Sequence, residues 1–323
     1  MLLSFLLSLI GNTLVIHVII KNHSMRTSTN CLIMNLACCD LLISLFQTPH
    51  FIKQLYIGKA WLGGTAGTVI CKSLAFGASM LFNCSVYSLV AIAIDRFLAV
   101  TRPLTYKGSS KRVLKIGILI LWLISALLSI RLPMTSRIHY SEDGTPNCMY
   151  FAQSSKDVYT SAFSFIASFI VIVVLYSVIA YRLWMRKIPG EVSNNQQALA
   201  IRTARRVTVL MISVVLLFVA SWAPAFVTLS LAFFHPSSVD IFIQYPFLFA
   251  FTYCLILTSS TYNPCLYFIF IEGFRTNMKA ALSRCCSSRD RACCIPPKPH
   301  FETREPIRSK QTVIELMAFS TAS

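Results

Sequence analysis

Apolar residues in this chain fill long, nearly uninterrupted stretches. Seven of them lie at roughly residues 1–20, 31–52, 68–94, 113–133, 158–181, 207–234 and 241–271. Each is about twenty residues or more, the length at which a helix crosses the roughly 30 Å hydrocarbon core of a bilayer. Lipid offers no partner to backbone N–H and C=O groups, so only helices or closed barrels span it. These stretches are too long and too continuously apolar for barrel strands. The pattern predicts an all-α membrane protein, a bundle of seven transmembrane helices.

The segments between the stretches differ in charge. Lys21 and Arg26 follow the first; Arg96, Arg102, Lys107, Lys111, Arg112 and Lys115 separate the third from the fourth. Arg182, Arg186, Lys187, Arg202, Arg205 and Arg206 separate the fifth from the sixth, and the tail after residue 271 is basic again. The alternate segments hold fewer: Lys53, Lys59 and Lys72, then Arg131, Arg137 and Lys156. The positive-inside rule places the first set in the cytoplasm, with the N-terminus outside and the tail inside. A net charge of +17 is then loop topology plus attraction to an anionic inner leaflet, and no nucleic acid is required. The first stretch starts at Met1 with no segment before it, which reads as a piece of a longer chain, a naturally short N-terminus being the alternative. A signal peptide is the competing reading, but it lacks a basic n-region and a clear cleavage pattern.

The third stretch carries Cys71 near one end and Asp95-Arg96-Phe97 at the other, about 37 Å apart along a helix. Cys71 and Cys148 both fall on the oxidising side, where a disulfide would pin the loop between the fourth and fifth stretches over the bundle. Two free thiols are the alternative. Cys31, Cys38, Cys39, Cys84, Cys254 and Cys265 sit inside stretches and read as packing residues. Cys285-Cys286 and Cys293-Cys294 lie just past the last stretch, where palmitoylation is expected and a four-cysteine zinc site is the alternative. The glycosylation matches at Asn22 and Asn83 fall on the wrong side or inside a span.

Ionisable groups in hydrocarbon are costly and usually functional. Asp40 lies mid-span, at a depth shared with Asn12, Ser85, Ser259, Ser260 and Asn263. An acid among hydroxyl and amide oxygens suits a small hard cation such as sodium; a packing network of hydrogen bonds is the alternative. Pro224 follows Trp222, and Pro264 follows Asn263. Each removes a helical hydrogen bond beside aromatic residues, Phe218 and Trp222 or Tyr267. That arrangement suits a two-state kink, with static kinks as the alternative. Asp95 can hold the Arg96 guanidinium by a charge-assisted pair.

These motifs together resemble the rhodopsin-like (class A) G-protein-coupled receptors. The likeness covers nearly all of residues 1–283. It is carried by Gly11-Asn12, Asn35-Leu36-Ala37 with Asp40, Cys71, Asp95-Arg96-Phe97, Trp122, Tyr176, Phe218 with Ser221-Trp222-Ala223-Pro224, and Asn263-Pro264-Cys265-Leu266-Tyr267. The resemblance implies that Trp222 senses ligand, Phe218 relays a repacking, Pro224 is a pivot, and Tyr176 and Tyr267 stabilise the active arrangement. Arg96 would meet the C-terminal helix of a G-protein α subunit, and Leu104 would insert into a pocket on that subunit. Glu272-Gly273-Phe274-Arg275 is similar to the start of the family's short amphipathic eighth helix. Residues 284–323 read as a disordered cytoplasmic tail, with Ser287, Ser288, Ser309 and Thr312 as targets of receptor kinases and arrestin recruitment.

Departures from the family pattern are Phe97 for a tyrosine, Ser221 for a cysteine and the absence of a proline near Ser168. Ala204 stands where some members carry an acid that locks the arginine. A weaker restraint on the inactive state, with higher basal signalling, is the expectation.

For the ligand, exclusions come first. No lysine lies between residues 242 and 271, and Leu257 stands at the retinal-lysine position. Ala78 replaces the aspartate that binds amines. A peptide fits best. Gly144–Pro146 signals a hairpin lid, Tyr56 and Trp61 resemble an outer-loop pattern of peptide receptors, and Glu142, Asp143, Asp157 and Asp240 offer outer acids to a basic peptide. His50, Gln54, Trp61, Ala78, Phe82, Asp157, Phe226, Phe249 and Tyr253 are the candidate ligand contacts. The expected partners are thus a neuropeptide-like ligand, a heterotrimeric G protein and membrane lipid at the plasma membrane. No cofactor beyond sodium and no catalytic domain is signalled. A small molecule or lipid is the alternative ligand. A transporter or channel would need repeats and midplane helix breaks that the chain does not display.

Overall fold

A computed structural model describes residues 2–56, 58, 60–102, 106, 110–150, 155–185, 195–234 and 246–277. Its helices are α1 (Leu2–Lys21), α2 (Ser28–Tyr56), α3 (Gly64–Thr101), α4 (Lys111–Ser129), α5 (Arg131–Thr135), α6 (Ser155–Met185), α7 (Asn195–Phe234) and α8 (Pro246–Phe270). One antiparallel hairpin, β1 (Ser136–Tyr140) and β2 (Pro146–Tyr150), lies between α5 and α6. The chain is helical again over 272–277, up to the edge of the described residues.

The apolar stretches form helices because a helix satisfies its own backbone. Among the described residues, α1, α2, α3, α4 with α5, α6 and α7 are long and apolar enough to cross a membrane. In α8 the central Thr-Ser-Ser-Thr-Tyr-Asn run, 258–263, dilutes the hydropathy of a helix that is 25 residues long. Large apolar side chains such as Leu119, Leu123 and Leu127 of α4 and Ile166, Ile170 and Val174 of α6 face outward. In water such a surface would aggregate; hydrocarbon is the solvent it fits.

Several helices run past the apolar stretches that predict them. α3 covers 64–101 rather than 68–94, and α7 begins at Asn195 rather than near 207. At 40 residues α7 is about 60 Å long, twice the hydrocarbon thickness. Most of the expected 183–206 loop is therefore helix. Hydropathy marks where lipid begins and ends, whereas backbone hydrogen bonding continues into the polar turns beyond.

Neighbour contacts close the bundle on itself. α1 packs on α2 and α8, α2 on α3, α3 on α6, α6 on α7, and α7 on α8. α3 is the axis, touching α2, α4, α5, α6 and both strands. The dense core lies toward the Arg96 end, where Leu89, Ile92, Ile179, Leu210, Met211, Val214 and Tyr267 are buried together with Phe274. Two close approaches require glycine. A Cβ on Gly11 of α1 would sit 2.7 Å from Pro264 Cγ, at the proline of α8. A Cβ on Gly67 would sit 1.7 Å from the Leu62 carbonyl oxygen, in the loop that enters α3.

Candidate functional site

At the hairpin end, β1 and β2 pair in a register that sets Ile138 opposite Cys148. The turn between them is closed by Gly144 N–H donating to the Ser141 carbonyl at 2.9 Å. Asp143 accepts from the Thr145 amide and hydroxyl, at 3.1 and 2.7 Å. A disulfide joins Cys148 to Cys71 across a separation of 77 residues. A second tether is polar. The Trp61 amide donates to the Pro146 carbonyl at 2.6 Å, and the Trp61 indole N–H to the Gly67 carbonyl at 2.9 Å.

Beside this end, in the bundle, is a cavity of about 380 Å³. An aromatic group built on Phe82 forms part of its wall. Its ring lies 4.2 Å from Trp222, 5.7 Å from Phe226 and 6.0 Å from Phe218. Phe165 and Phe226 stack at 4.4 Å. The wall also includes His50, Ala78, Tyr253 and Leu257.

Two of the expected contacts lie elsewhere. Gln54 does not reach the wall: it lies on the Gln47–His50 side of α2 but about 10 Å beyond Gln47. Trp61 roofs the site instead of lining it, meeting His50 edge to face at 5.1 Å with Lys53 Nζ 5.6 Å above its ring. The side chains of Asp157 and Phe249, and all of Asp240, lie outside the described residues. Glu142 and Asp143 are at the exposed hairpin turn, so no described acid lines the cavity. The expectation that outer acids receive a basic ligand finds no acid in the described wall, because the hairpin turn carries its acids away from it.

Sequence reasoning missed Gln47 and Asn83, which do line it. Gln47 Nε2 donates to the Leu74 carbonyl at 3.1 Å, and Asn83 Nδ2 to the Ser129 hydroxyl at 3.1 Å. Gln47 was detectable as the residue three before His50, on the same helical face.

Midway along the bundle, Asp40 is buried and accepts from Asn263 Nδ2 at 2.7 Å. Ser260 lies beside the carboxyl group without a hydrogen bond of ordinary geometry. Asn12 joins the cluster through the Ser260 carbonyl at 3.0 Å. Ser259 does not; its hydroxyl donates within its own helix to the Ile256 carbonyl. Asn12 Oδ1, Ser85 Oγ and Ser260 Oγ are buried without a partner. An unpaired hydroxyl oxygen beside a buried carboxylate, as at Ser260 and Asp40, is a donor that a hard cation takes, so these two residues fit one. Asn35 connects the next layer, donating to Ser88 at 2.8 Å and accepting from the Trp122 indole at 2.9 Å.

At the far end of α3, Arg96 and Asp95 are only loosely paired, 4.0 Å apart. The expected direct clasp is bridged instead. Thr29 of α2 donates its hydroxyl to Asp95 and accepts from Arg96 Nη2. Tyr106 donates its phenol to the other Asp95 oxygen. Burial first, and then that carboxylate, holds the phenol well above its ordinary pKa, so it remains a donor. Arg96 Nε has no partner. Phe97 packs against the core, and Tyr176 and Tyr267 are buried in it, the latter with an unpartnered hydroxyl. Pro224 lies inside α7 and Pro264 inside α8. Leu104, Cys285 and Cys286 lie outside the described residues. Thr29 and Tyr106 were not singled out from the sequence, since a lone hydroxyl carries no pattern.

Residues 11–267 match the profile of the 7 transmembrane receptor (rhodopsin family). The chain belongs to that family. It is a family of receptors, not of enzymes. The chain is 30% identical over 286 residues to Neuropeptide receptor 22 of Caenorhabditis elegans, covering 82% of this chain and 65% of that one. It is 31% identical over 321 residues to Neuropeptide FF receptor 1 of Homo sapiens, covering 93% and 71%. It is 29% identical over 303 residues to the Pyroglutamylated RF-amide peptide receptor of Mus musculus, covering 88% and 69%. The rhodopsin-family match takes in Asn12, Asp40, Cys71, Arg96, Trp222 and Tyr267, one or more on each of five helices.

Proposed function

We propose that this chain is a plasma-membrane receptor that binds a peptide at the hairpin end and activates a heterotrimeric G protein at the Arg96 end. The observation that carries the reading is the pairing of two ends on one helix. A tethered lid stands beside an aromatic cavity at one end of α3, and an arginine loosely paired with Asp95 and bridged to it by the Thr29 hydroxyl stands at the other. Relatives named for neuropeptides support a peptide in that cavity. In this reading α8 is the seventh span, 272–277 opens the amphipathic eighth helix, and residues 1–283 form the receptor domain. The basic segments support a cytoplasmic Arg96 end.

The chemistry of the cavity favours a neutral, aromatic peptide terminus. Gln47 and Asn83 each give an amide N–H to a partner inside the protein, and each keeps an amide oxygen with which it could accept from a ligand. A carboxylate entering among Phe82, Trp222 and Phe226 would find no permanently charged cation in the described wall. An amidated end, as in the RF-amide peptides for which one relative is named, donates where these residues accept.

Ligand binding would shift Trp222 and Phe218 around Pro224, move the far end of α7, and free Arg96 for the G protein. Leu104 would pack against the same subunit. Asp40, Ser85, Ser260 and Asn263 would hold a sodium ion when one is bound, which neutralises the buried acid and favours the arrangement that encloses it. The tail would meet receptor kinases and arrestin, with Cys285 and Cys286 acylated at the leaflet.

The test is a panel of amidated and free-acid peptides applied to cells expressing the chain, read as calcium and cyclic-nucleotide signals. Amidated aromatic peptides should signal and their free acids should not. Arg96→Ala should silence the signal at unchanged surface level. A response to lipids or small molecules alone, or normal coupling by Arg96→Ala, would defeat the reading.

A further inference from the structure

No acid faces Arg96 from α7. Ala204 stands at that level and packs against the core. The next two residues are arginines, and they reach away from α3 in different directions. Arg205 directs Nε and Nη2 to the Leu183 carbonyl, at 3.1 and 2.9 Å, and Nη2 to the Trp184 carbonyl at 3.4 Å. Its guanidinium also lies over the Trp184 ring, 5.4 Å from the centroid. Arg206 sends Nη2 to the Ile269 carbonyl at 3.3 Å. Leu183 and Trp184 are in the last turn of α6, and Ile269 is in the last turn of α8. Carbonyls in the last turn of a helix carry the negative end of its dipole, which suits a guanidinium.

We propose that Arg205 and Arg206 form the latch that holds the Arg96 end of α7 closed, by fastening it to the C-terminal carbonyls of α6 and α8. The proposal rests on the receptor reading for its consequence but not for its geometry. A guanidinium fork over an indole, half-buried, is a directional clasp. Arg206 is exposed and contributes less. Outward displacement of α7 must break both sets of contacts. Arg96 itself need break nothing with α7, because it is held by Thr29 of α2. The missing acid at Ala204 therefore does not leave α7 unrestrained; the restraint lies on its other flanks.

The test measures α7 directly in the purified full chain. Distance probes are placed at exposed residues 202 on α7 and 113 on α4, and the ligand-free distribution is read for each variant. Arg205→Ala should enrich the displaced population about tenfold. Arg205→Lys, which keeps the charge and loses the fork, should fall between, and so should Trp184→Leu, which removes only the stack. Arg206→Ala should shift least. Thermal unfolding of each variant identifies misfolded material, and Arg205→Lys and Trp184→Leu then decide. A distribution unchanged in Arg205→Ala, or equal shifts for Arg205→Lys and the parent, overturns the latch. Nucleotide exchange on added G proteins is measured on the same samples. Silence there with a shifted distance defeats the receptor reading and leaves the latch standing.

Discussion

The two ends of α3 are built on different principles. The hairpin end is fastened covalently, by Cys71–Cys148, and surrounds an open aromatic cavity. The Arg96 end holds a large apolar core and, among the described residues, no covalent tie, and its polar groups are joined by bridging hydroxyls and arginine–carbonyl bonds. A disulfide cannot be exchanged during a signalling cycle, whereas a hydroxyl bridge can be swapped for another partner at little net cost. The contrast assigns shape to one end and motion to the other. A ligand site gains from pre-organisation, since less freedom is lost on binding. An effector site has to exist in two arrangements whose energies differ by only a few kcal/mol.

That contrast breaks most readily at its rigid end. Cys148→Ser should cost about 4 kcal/mol, the loop-closure value expected for a ring of this size. Ligand affinity and surface level should fall together, measured by binding on sorted cells. Unchanged affinity would mean that the hydrogen bonds of Trp61 alone hold the lid. Gly67→Ala follows at about 3 kcal/mol. The added Cβ meets the Leu62 carbonyl oxygen, which is backbone and cannot rotate aside. Thermal stability of the purified chain should drop, with the larger loss in ligand binding rather than in coupling per bound receptor.

The mobile end should respond in the opposite way. Thr29→Val removes the hydroxyl that both Asp95 and Arg96 use, a loss of about 1–3 kcal/mol because both partners are charged. Ligand-free nucleotide exchange should rise while peptide affinity changes little. Thr29→Ser, which restores the hydroxyl, should return exchange to the parent level. A loss of stability with no rise in exchange would make the bridge structural only.

Much of the plan is legible in the chain. Stretches of twenty apolar residues announce the spans, and Gly144–Pro146 announces the hairpin, because both are local signals. Radial direction is harder to read. Gln54 and His50 lie on nearly the same face of α2, yet only His50 lines the cavity, since height above it matters as much as phase. Asn83 reads as a misplaced glycosylation site, although it lines the aromatic cavity. Thr29 and Tyr106 are silent because a hydroxyl becomes informative only when the fold brings it to a charge. The length of α7 is hidden for a related reason. Its first turns are polar, and nothing in their hydropathy separates an exposed helix from a loop.

The smallest expected effect sharpens the comparison most finely. Trp61 belongs to the rigid end but acts through hydrogen bonds, like the groups at the mobile end. Trp61→Phe keeps an aromatic ring near His50 and Lys53 and deletes only the indole donor to Gly67, worth about 1 kcal/mol. Alone it should weaken peptide binding by about fivefold or less, in equilibrium competition. Combined with Cys148→Ser, it should cost more than the sum of the single changes, because both fasten the hairpin to α3, the disulfide directly and Trp61 through the loop that pairs with Pro146. Additive losses would show that the disulfide and the tryptophan restrain separate parts of the lid. The rigid end would then be two independent supports, and only the part under Trp61 would be free to adjust to the ligand.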